Sequence, residues 1–503
     1  MILLVARREV VDHLGSVRFL TLCALTLLLL PLSAYASAEA WRARRAFSDT
    51  LAQSREARIA ASRTQSTLRA GHPTPTTPWG WRSGDVTTDE ALRAVRPPAP
   101  LSVLALGADG RLPAYWQFGT EGLAAGPPLA GEDGADAAAA DFTFVVQVVL
   151  GLLAILLGAD AISGEAESGL LRTVLANPVP RAHLVLGKYL GALLTLLVPL
   201  ALGVPPALLV LRARDVPLGD ADSWPRALAF GVAALLYLAC MLALALAVSA
   251  RSQRARTSLV VLLVAWVLIV LVIPRVGEIL AAGLRPVAPS ELVRRDRSAA
   301  IASLESERAT ALGDLWRRVA GTDDLPDGDF PPDLKRAYNA ARLPIEQALF
   351  RRKRAALAGI DDAHDRDARR QRAIASAVAR LSPSATFGAL AADLADTGPR
   401  SADRWRSQVR AHQRTLEHAA FDNVFGVELF AARLDGLRVT WGPDPRDPAD
   451  TPPSYADLPA FTYVPERTRD ALLATLPGFL YLAACNALLL AGAVAAFTRY
   501  EVR

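Results

Sequence analysis

The 503-residue sequence holds three cysteines, two methionines and six histidines, and each scarcity removes a class of chemistry. Cys23, Cys240 and Cys485 sit in separate apolar runs. They cannot staple an extracellular domain, and none has a His or Cys neighbour at metal-ligand spacing, so each reads as a small buried hydrophobe. No HExxH, GxSxG or CxxC pattern occurs. His364 stands among Asp361, Asp362 and Asp365, but successive residues of a helix fan around its axis and do not converge on one ion. Charge of one sign is scarce as well. The 55 Lys and Arg face 50 Asp and Glu, and the net +5 is dispersed through polar stretches, which describes a mildly basic solvated surface and not a nucleic-acid site.

What the chain has in abundance is apolar surface: 52% of residues are hydrophobic while 21% are charged, so the two kinds must be segregated along the sequence. The apolar content excludes a disordered chain, and the charged content excludes a bare membrane bundle. Six stretches suffice for the ~30 Å of a bilayer core, which takes about 20 helical residues. They are 19–38, 142–161, 190–211, 227–250, 257–273 and 471–498. None has a charged side chain in its middle. Asp160 lies near an end, and Gln147 and Asn486 are the deepest polar groups. A carrier driven by ion gradients needs an intramembrane charge, so the energy source is expected outside the bilayer.

Arginine and lysine near the span ends set the orientation. Arg7, Arg8 and Arg18, then Arg172, Arg181 and Lys188, then Arg251, Arg254 and Arg256, and last Arg499 and Arg503 fall on one side, which places both termini in the cytoplasm of a multi-pass inner or plasma membrane protein. Ala34-Tyr35-Ala36 resembles a signal-peptidase site, but residues 1–18 form an amphipathic pattern that favours an uncleaved first span. There Leu3, Ala6, Val10 and Leu14 share one helical face, with Arg8, Glu9, Asp12 and His13 on the other.

Two long inserts, 39–141 and 274–470, then lie on the far side of the membrane. The first opens as a polar helix to about Ala70, turns Pro/Thr-rich, and contains the aromatics Trp79, Trp81, Tyr115, Trp116 and Phe118. The second reads as helices over 290–320, from Pro331-Pro332 to about 358, over 361–381 and over 401–437, before the Pro/Asp-rich stretch 441–459. Expressed alone, residues 285–459 are expected to be soluble and largely helical, and the insert is expected to contact substrate or an extracytoplasmic partner protein. The fold class is therefore an all-α polytopic membrane protein: six transmembrane helices, an amphipathic N-terminal helix and a mainly helical extracytoplasmic insert.

Residues 162–189, between the second and third spans, are the informative stretch. Leu170, Leu171, Val174 and Leu175 form a short apolar stripe that Asn177-Pro178 stops, and Arg181 begins a second helix that becomes the third span. A short amphipathic helix so placed can dock on a soluble partner and pass motion to the membrane. With Asp160, Glu165, Gly169-Leu170-Leu171, Pro178-Val179-Pro180-Arg181 and Gly187-Lys188, the chain resembles the permease subunits of type-2 exporter ABC transporters, with Leu170 where that family has Thr. The resemblance implies an ATPase-coupling hairpin built on Asp160, Glu165, Glu167, Gly169, Leu170, Leu171, Pro178, Arg181, Gly187 and Lys188. It also implies a separate ATPase subunit in two copies, holding ATP and Mg, and a second permease, identical or paralogous, beside this one in the lipid bilayer. Gly187-Lys188 is no P-loop, because Ala182 and Tyr189 stand where that loop needs Gly and a hydroxyl. The chain itself is thus expected to bind no cofactor and to hydrolyse no ATP. The rival reading is a membrane-anchored sensor or assembly scaffold that binds an extracytoplasmic protein and translocates nothing.

Overall fold

The computed structural model describes residues 1–69, 93–119, 122–128, 141–171, 180–322, 332–422 and 460–499. Six helices among them are long and apolar enough to cross a membrane. A short helix α1 (Ile2–Leu14) precedes the first spanning helix, α2 (Val17–Arg69). The others are α3 (Phe142–Glu167), α4 (Arg181–Ala213), α5 (Ser223–Ser249) and α6 (Ala255–Leu284). A seventh long helix, α7 (Ser290–Ala320), is followed by α8 (Pro332–Ala379), α9 (Pro383–Leu394) and α10 (Pro399–Asp422), and the last span is α11 (Thr468–Thr498).

The bundle packs as its sequence periodicity dictates. On α2, Leu22, Thr26, Leu30, Ala34 and Ala38 recur every fourth residue and all are buried, so one continuous stripe faces the other helices. It meets α4 where Gly203 leaves room: a methyl there would lie 3.1 Å from the Thr26 side chain. Helices α3 and α5 form the interior, while α6 and α11 keep most of their apolar surface outward, as lipid-facing helices do. Several helices outrun the apolar stretches that announced them. Helix α2 runs unbroken to Arg69, α4 starts at Arg181 and α6 continues to Leu284. Apolar composition marks where a helix is buried in lipid, whereas a helix ends only where a cap or breaker stops it. Helix α7 shows such a stop, for Gly321 takes φ +71° and its N–H bonds the Arg317 carbonyl.

Two features of the inserts depart from the sequence reading. In the first, residues 93–125 contain a small antiparallel sheet: β1 (Arg93–Val95), β2 (Tyr115–Gly119) and β3 (Gly122–Ala125), in the order β1-β2-β3. Phe118 of β2 packs with Trp405 and Val409 of α10, which joins the two inserts through an apolar cluster. Trp79, Trp81, the remainder of the expected 401–437 helix and the stretch 441–459 fall outside the described residues.

The second departure bears on the expectation that 285–459 would be soluble when excised, for part of it packs inside the bundle. Helix α8 descends antiparallel along the outer half of α6, where the Ala375 carbonyl lies 2.9 Å from where a methyl on Gly277 would be. The chain turns at Leu381–Ser382, and α9 then rises inside the bundle between α3, α5, α6 and α11, with Phe387, Leu390, Ala391 and Leu394 buried in the main core. The Phe387 ring stacks on Tyr237 of α5 at 5.3 Å, and a methyl on Gly478 of α11 would lie 2.6 Å from Leu390. Excision of 285–459 would therefore strip the membrane bundle of part of its core, and the excised piece would expose that apolar surface.

Just beyond α9 the inserts meet in a buried charge cluster. Arg96 donates to Asp109 (2.9 Å), to the Asp396 carbonyl (2.7 Å) and to Ser401 Oγ (2.7 Å). Arg404 bridges Asp396 (3.0 Å) and Glu466 (2.5 Å), and Arg44 of α2 reaches Ser102. Burial pushes the carboxyls of Asp109 and Asp393 up to about 6, against the pull of Arg96 on the first and Arg400 on the second. A carboxyl whose folded pKa exceeds its unfolded value near 3.8 favours folding most when protonated, so its contribution improves as pH falls through about 6 and declines as pH rises. Asp393→Asn is expected to stabilise the protein at pH 7 by about 1–2 kcal/mol and to change nothing near pH 4. Thermal unfolding of both proteins across that range checks it, and an equal effect at both pH values would contradict it.

Candidate functional site: the hairpin between the second and third spans

Three elements converge at the N-terminal end of the bundle: α1, the last turns of α3 and the first turns of α4. At their centre Lys188 of α4 is only 3% exposed. Its Nζ donates to Glu9 Oε2 of α1 (3.1 Å) and to Glu165 Oε1 of α3 (2.9 Å). Burial opposes ionisation of Glu9, but His13 at 3.4 Å and Lys188 outweigh it and hold that carboxyl below its usual range. Gly187 and Gly191, one turn apart, bring α1 onto the α4 backbone. A methyl at either would lie 2.6 Å from Val5 Cβ or 2.7 Å from Glu9 Cβ. The Gly-Lys pair is thus a docking seat for a helix.

The remaining hairpin residues also hold their own chain. Asp160 accepts from Arg18 Nη1 at 2.6 Å, which ties α3 to the start of α2. The backbone N–H groups of Ile162 and Ser163 both donate to Ser249 Oγ of α5 (3.1 Å each). Glu167 Oε2 accepts from the Ala255 N–H (3.0 Å) and so caps α6, where the helix dipole favours an anion. Gly169 turns the chain with φ +75°, a conformation glycine adopts without strain. Arg181 donates to the carbonyls of Phe497 (3.2 Å) and Thr498 (2.8 Å), the open end of α11.

The two leucines divide. Leu171, at 2% exposure, packs against Ile162, Leu184, Leu246 and Phe497 of its own bundle, whereas Leu170 is 41% exposed beside exposed Glu167, Ser168 and Gly169. Of these two, Leu170 is the exposed one. Pro178, with Val174 and Leu175, lies outside the described residues.

Sequence reasoning found Glu165, Arg181 and Lys188 but missed their partners. It placed Glu9 on the polar face of α1, opposite Leu3, Ala6, Val10 and Leu14, and the structure divides both faces: Ala6 and Glu9 are buried against α4, while Leu3 and Leu14, like Arg8 and Asp12, are exposed. Beside a bilayer an apolar face can look outward, and a buried carboxylate can be matched by a lysine 179 residues later in the chain. Periodicity alone carries no sign of either.

Six helices long and apolar enough to cross a membrane, closed at one end by a buried set of paired charges, define a polytopic membrane protein. The chain belongs to the ABC-2 family transporter proteins, whose family model matches residues 3–501. It is also 37% identical over 118 residues to the probable ABC transporter permease protein NosY of Pseudomonas aeruginosa, a match covering 23% of this chain and 42% of that protein.

Proposed function

We propose that the chain is the permease subunit of an ATP-driven exporter, with both termini cytoplasmic and ATP hydrolysis confined to a separate subunit that docks against the hairpin 162–189. Two ATPase copies holding ATP and Mg beneath a pair of permeases, identical or paralogous, complete the assembly. The observation that carries this reading is the bracing of the hairpin. Asp160, Glu165, Glu167, Leu171, Arg181 and Lys188 between them tie it to α1, α2, α4, α6 and α11. A push on exposed Leu170 would therefore reach α1, α2, α4, α6 and α11 together, because packed helices shift as rigid bodies between discrete arrangements. The NosY match and the family membership support a transporter, and the spans hold no buried charge at mid-depth that would couple transport to an ion gradient.

The test is reconstitution with an ATPase encoded beside this chain. The chain alone is expected to hydrolyse no ATP. In the complex, Leu170→Asp is expected to reduce assembly or transport-coupled hydrolysis at least tenfold, because a carboxylate carried into an apolar groove costs roughly 1–3 kcal/mol or more. Full coupling in Leu170→Asp, with the variant folded as the parent, would remove the docking role.

A further inference from the structure

Two of the six spans break helical register at the same place in the fold. Helix α3 makes a π-helical turn over Val145–Leu150 and α6 makes another over Leu268–Val272, and both turns face the first residues of α9. A π turn widens the helix and displaces one hydrogen bond, which is why such turns sit where helices bend. In α6 the Ile273 N–H bonds the Leu268 carbonyl five residues back. By the same register the Ile269 carbonyl would take its proton from residue 274, and residue 274 is proline, which has none. The Ser382 hydroxyl fills that gap, donating to the Ile269 carbonyl at 2.6 Å. The same oxygen accepts from the Ala385 N–H at 3.2 Å and so caps α9. In α3 the Tyr237 hydroxyl donates to the Gln147 carbonyl (2.8 Å), and Gln147 Nε2 donates to the Ser384 carbonyl (2.7 Å).

We propose that Leu268–Pro274 is a hinge in α6 and that Ser382 is the pin that sets its angle. The two sides of the hinge belong to different bodies. Below it, α6 is fixed to the hairpin end of the bundle: Ser258 Oγ donates to the Ala159 carbonyl at 2.6 Å, and Glu167 caps the helix. Above it, Ile273–Leu284 packs on α8 through Gly277 and Ala281, and the Arg285 carbonyl accepts from Gln371 at 2.9 Å. The outer half of α6 thus travels with α8, and α8 runs through the Ser382 turn into α9. The Tyr481 hydroxyl of α11 holds the preceding carbonyl, that of Leu381, at 3.0 Å. The Ser382 hydroxyl therefore joins the hinge to the cap of α9, beside the Tyr481 tie to α11, and its release frees the outer half of α6 to swing. Ser382 is a positioning residue in this scheme. The π turn of α3, pinned by Tyr237 and Gln147 to the same turn of α9, gives that helix a second support.

The inference stands apart from ATP coupling, so its test needs no ATPase, nucleotide or substrate. In a background with Cys23, Cys240 and Cys485 replaced by alanine, spin labels at Ile279→Cys on outer α6 and Leu488→Cys on α11 report the hinge angle in lipid nanodiscs. The parent is expected to give one narrow distance distribution. Ser382→Ala is expected to broaden it or add a second population, while Ser382→Thr, which keeps the hydroxyl, leaves it narrow. Pro274→Ala, which returns an N–H to the Ile269 carbonyl, should narrow the Ser382→Ala distribution again. In the cysteine-containing protein, amide exchange across 268–276 should rise roughly 2- to 10-fold in Ser382→Ala, the equivalent of one net hydrogen bond. This second reading guards against poor folding of the cysteine-free background. Unchanged distances and exchange in Ser382→Ala, or equal broadening in Ser382→Thr, would overturn the hinge.

Discussion

Lys188→Met is expected to lower the stability of the protein by about 3–5 kcal/mol and to release α1 from the bundle. The residue lies where two carboxylates share one cation, with Nζ at 3.1 Å from Glu9 and 2.9 Å from Glu165. Methionine keeps the packing volume and removes the charge, which leaves the buried Glu9 carboxylate with His13, 3.4 Å away, as its remaining partner. Such a group must protonate or carry its helix to water. Helix α1 offers the second route, because it is a single short element joined to α2 through Gly15 and Ser16. A cysteine at Ala6, buried in the parent, should become reactive to a thiol reagent in the variant. Lys188→Met combined with Glu9→Gln and Glu165→Gln should recover most of the loss, because a neutral hydrogen-bonded set has no uncompensated charge. If the single variant unfolds with the parent's midpoint and Ala6→Cys stays shielded, the triad does not hold α1.

The spans could be read from the sequence because lipid imposes one rule on every segment inside it: about 20 apolar residues and no charge. That rule has no memory of partners, so 142–161 or 471–498 announces itself without any other part of the chain. The hairpin was half legible. Glu165, Arg181 and Lys188 stood out as charges beside a membrane, but the residues that answer them, Glu9 and the end of α11, are named only by the fold. Helix α9 was not legible at all. Its 12 residues are too few to span a bilayer, Arg380 and Asp393 stand at its ends, and small residues give it no strong period. Its place is set by contacts 113 and 237 residues away, from Ser382 to Ile269 and from Gln147 to Ser384. The three strands of 93–125 escaped for a related reason: strands of three to five residues lie below the length at which alternation can be told from chance.

Arg96→Ala is expected to cost about 3–5 kcal/mol at pH 7 and much less at pH 5. Arg96 ties the two inserts together, pairing Asp109 of the first while donating to the Asp396 carbonyl and Ser401 of the second. Its guanidinium also lies over the Tyr463 ring at 5.1 Å, on the chain leading into α11. Removing it leaves Asp109, 1% exposed, with Arg44 as the nearest remaining cation. The Asp109 carboxyl already titrates at about 6 with Arg96 present, so without that partner its pKa must rise further. At pH 7 the folded variant then either holds a buried unpaired anion or takes up a proton the unfolded chain does not bind, and both lower stability. As pH falls toward 5 the proton becomes easier to hold and the deficit shrinks, opposite in sign to the acid loss expected at Glu9, whose folded pKa is depressed. Arg96→Lys should fall between, keeping the charge while losing the fork that reaches Asp109 and Ser401 together. Denaturation midpoints of the three proteins at pH 7 and pH 5 decide the matter. A deficit for Arg96→Ala that is the same at both pH values would mean that the joint is held by packing around Trp405 and Phe118, and that the charge cluster contributes little.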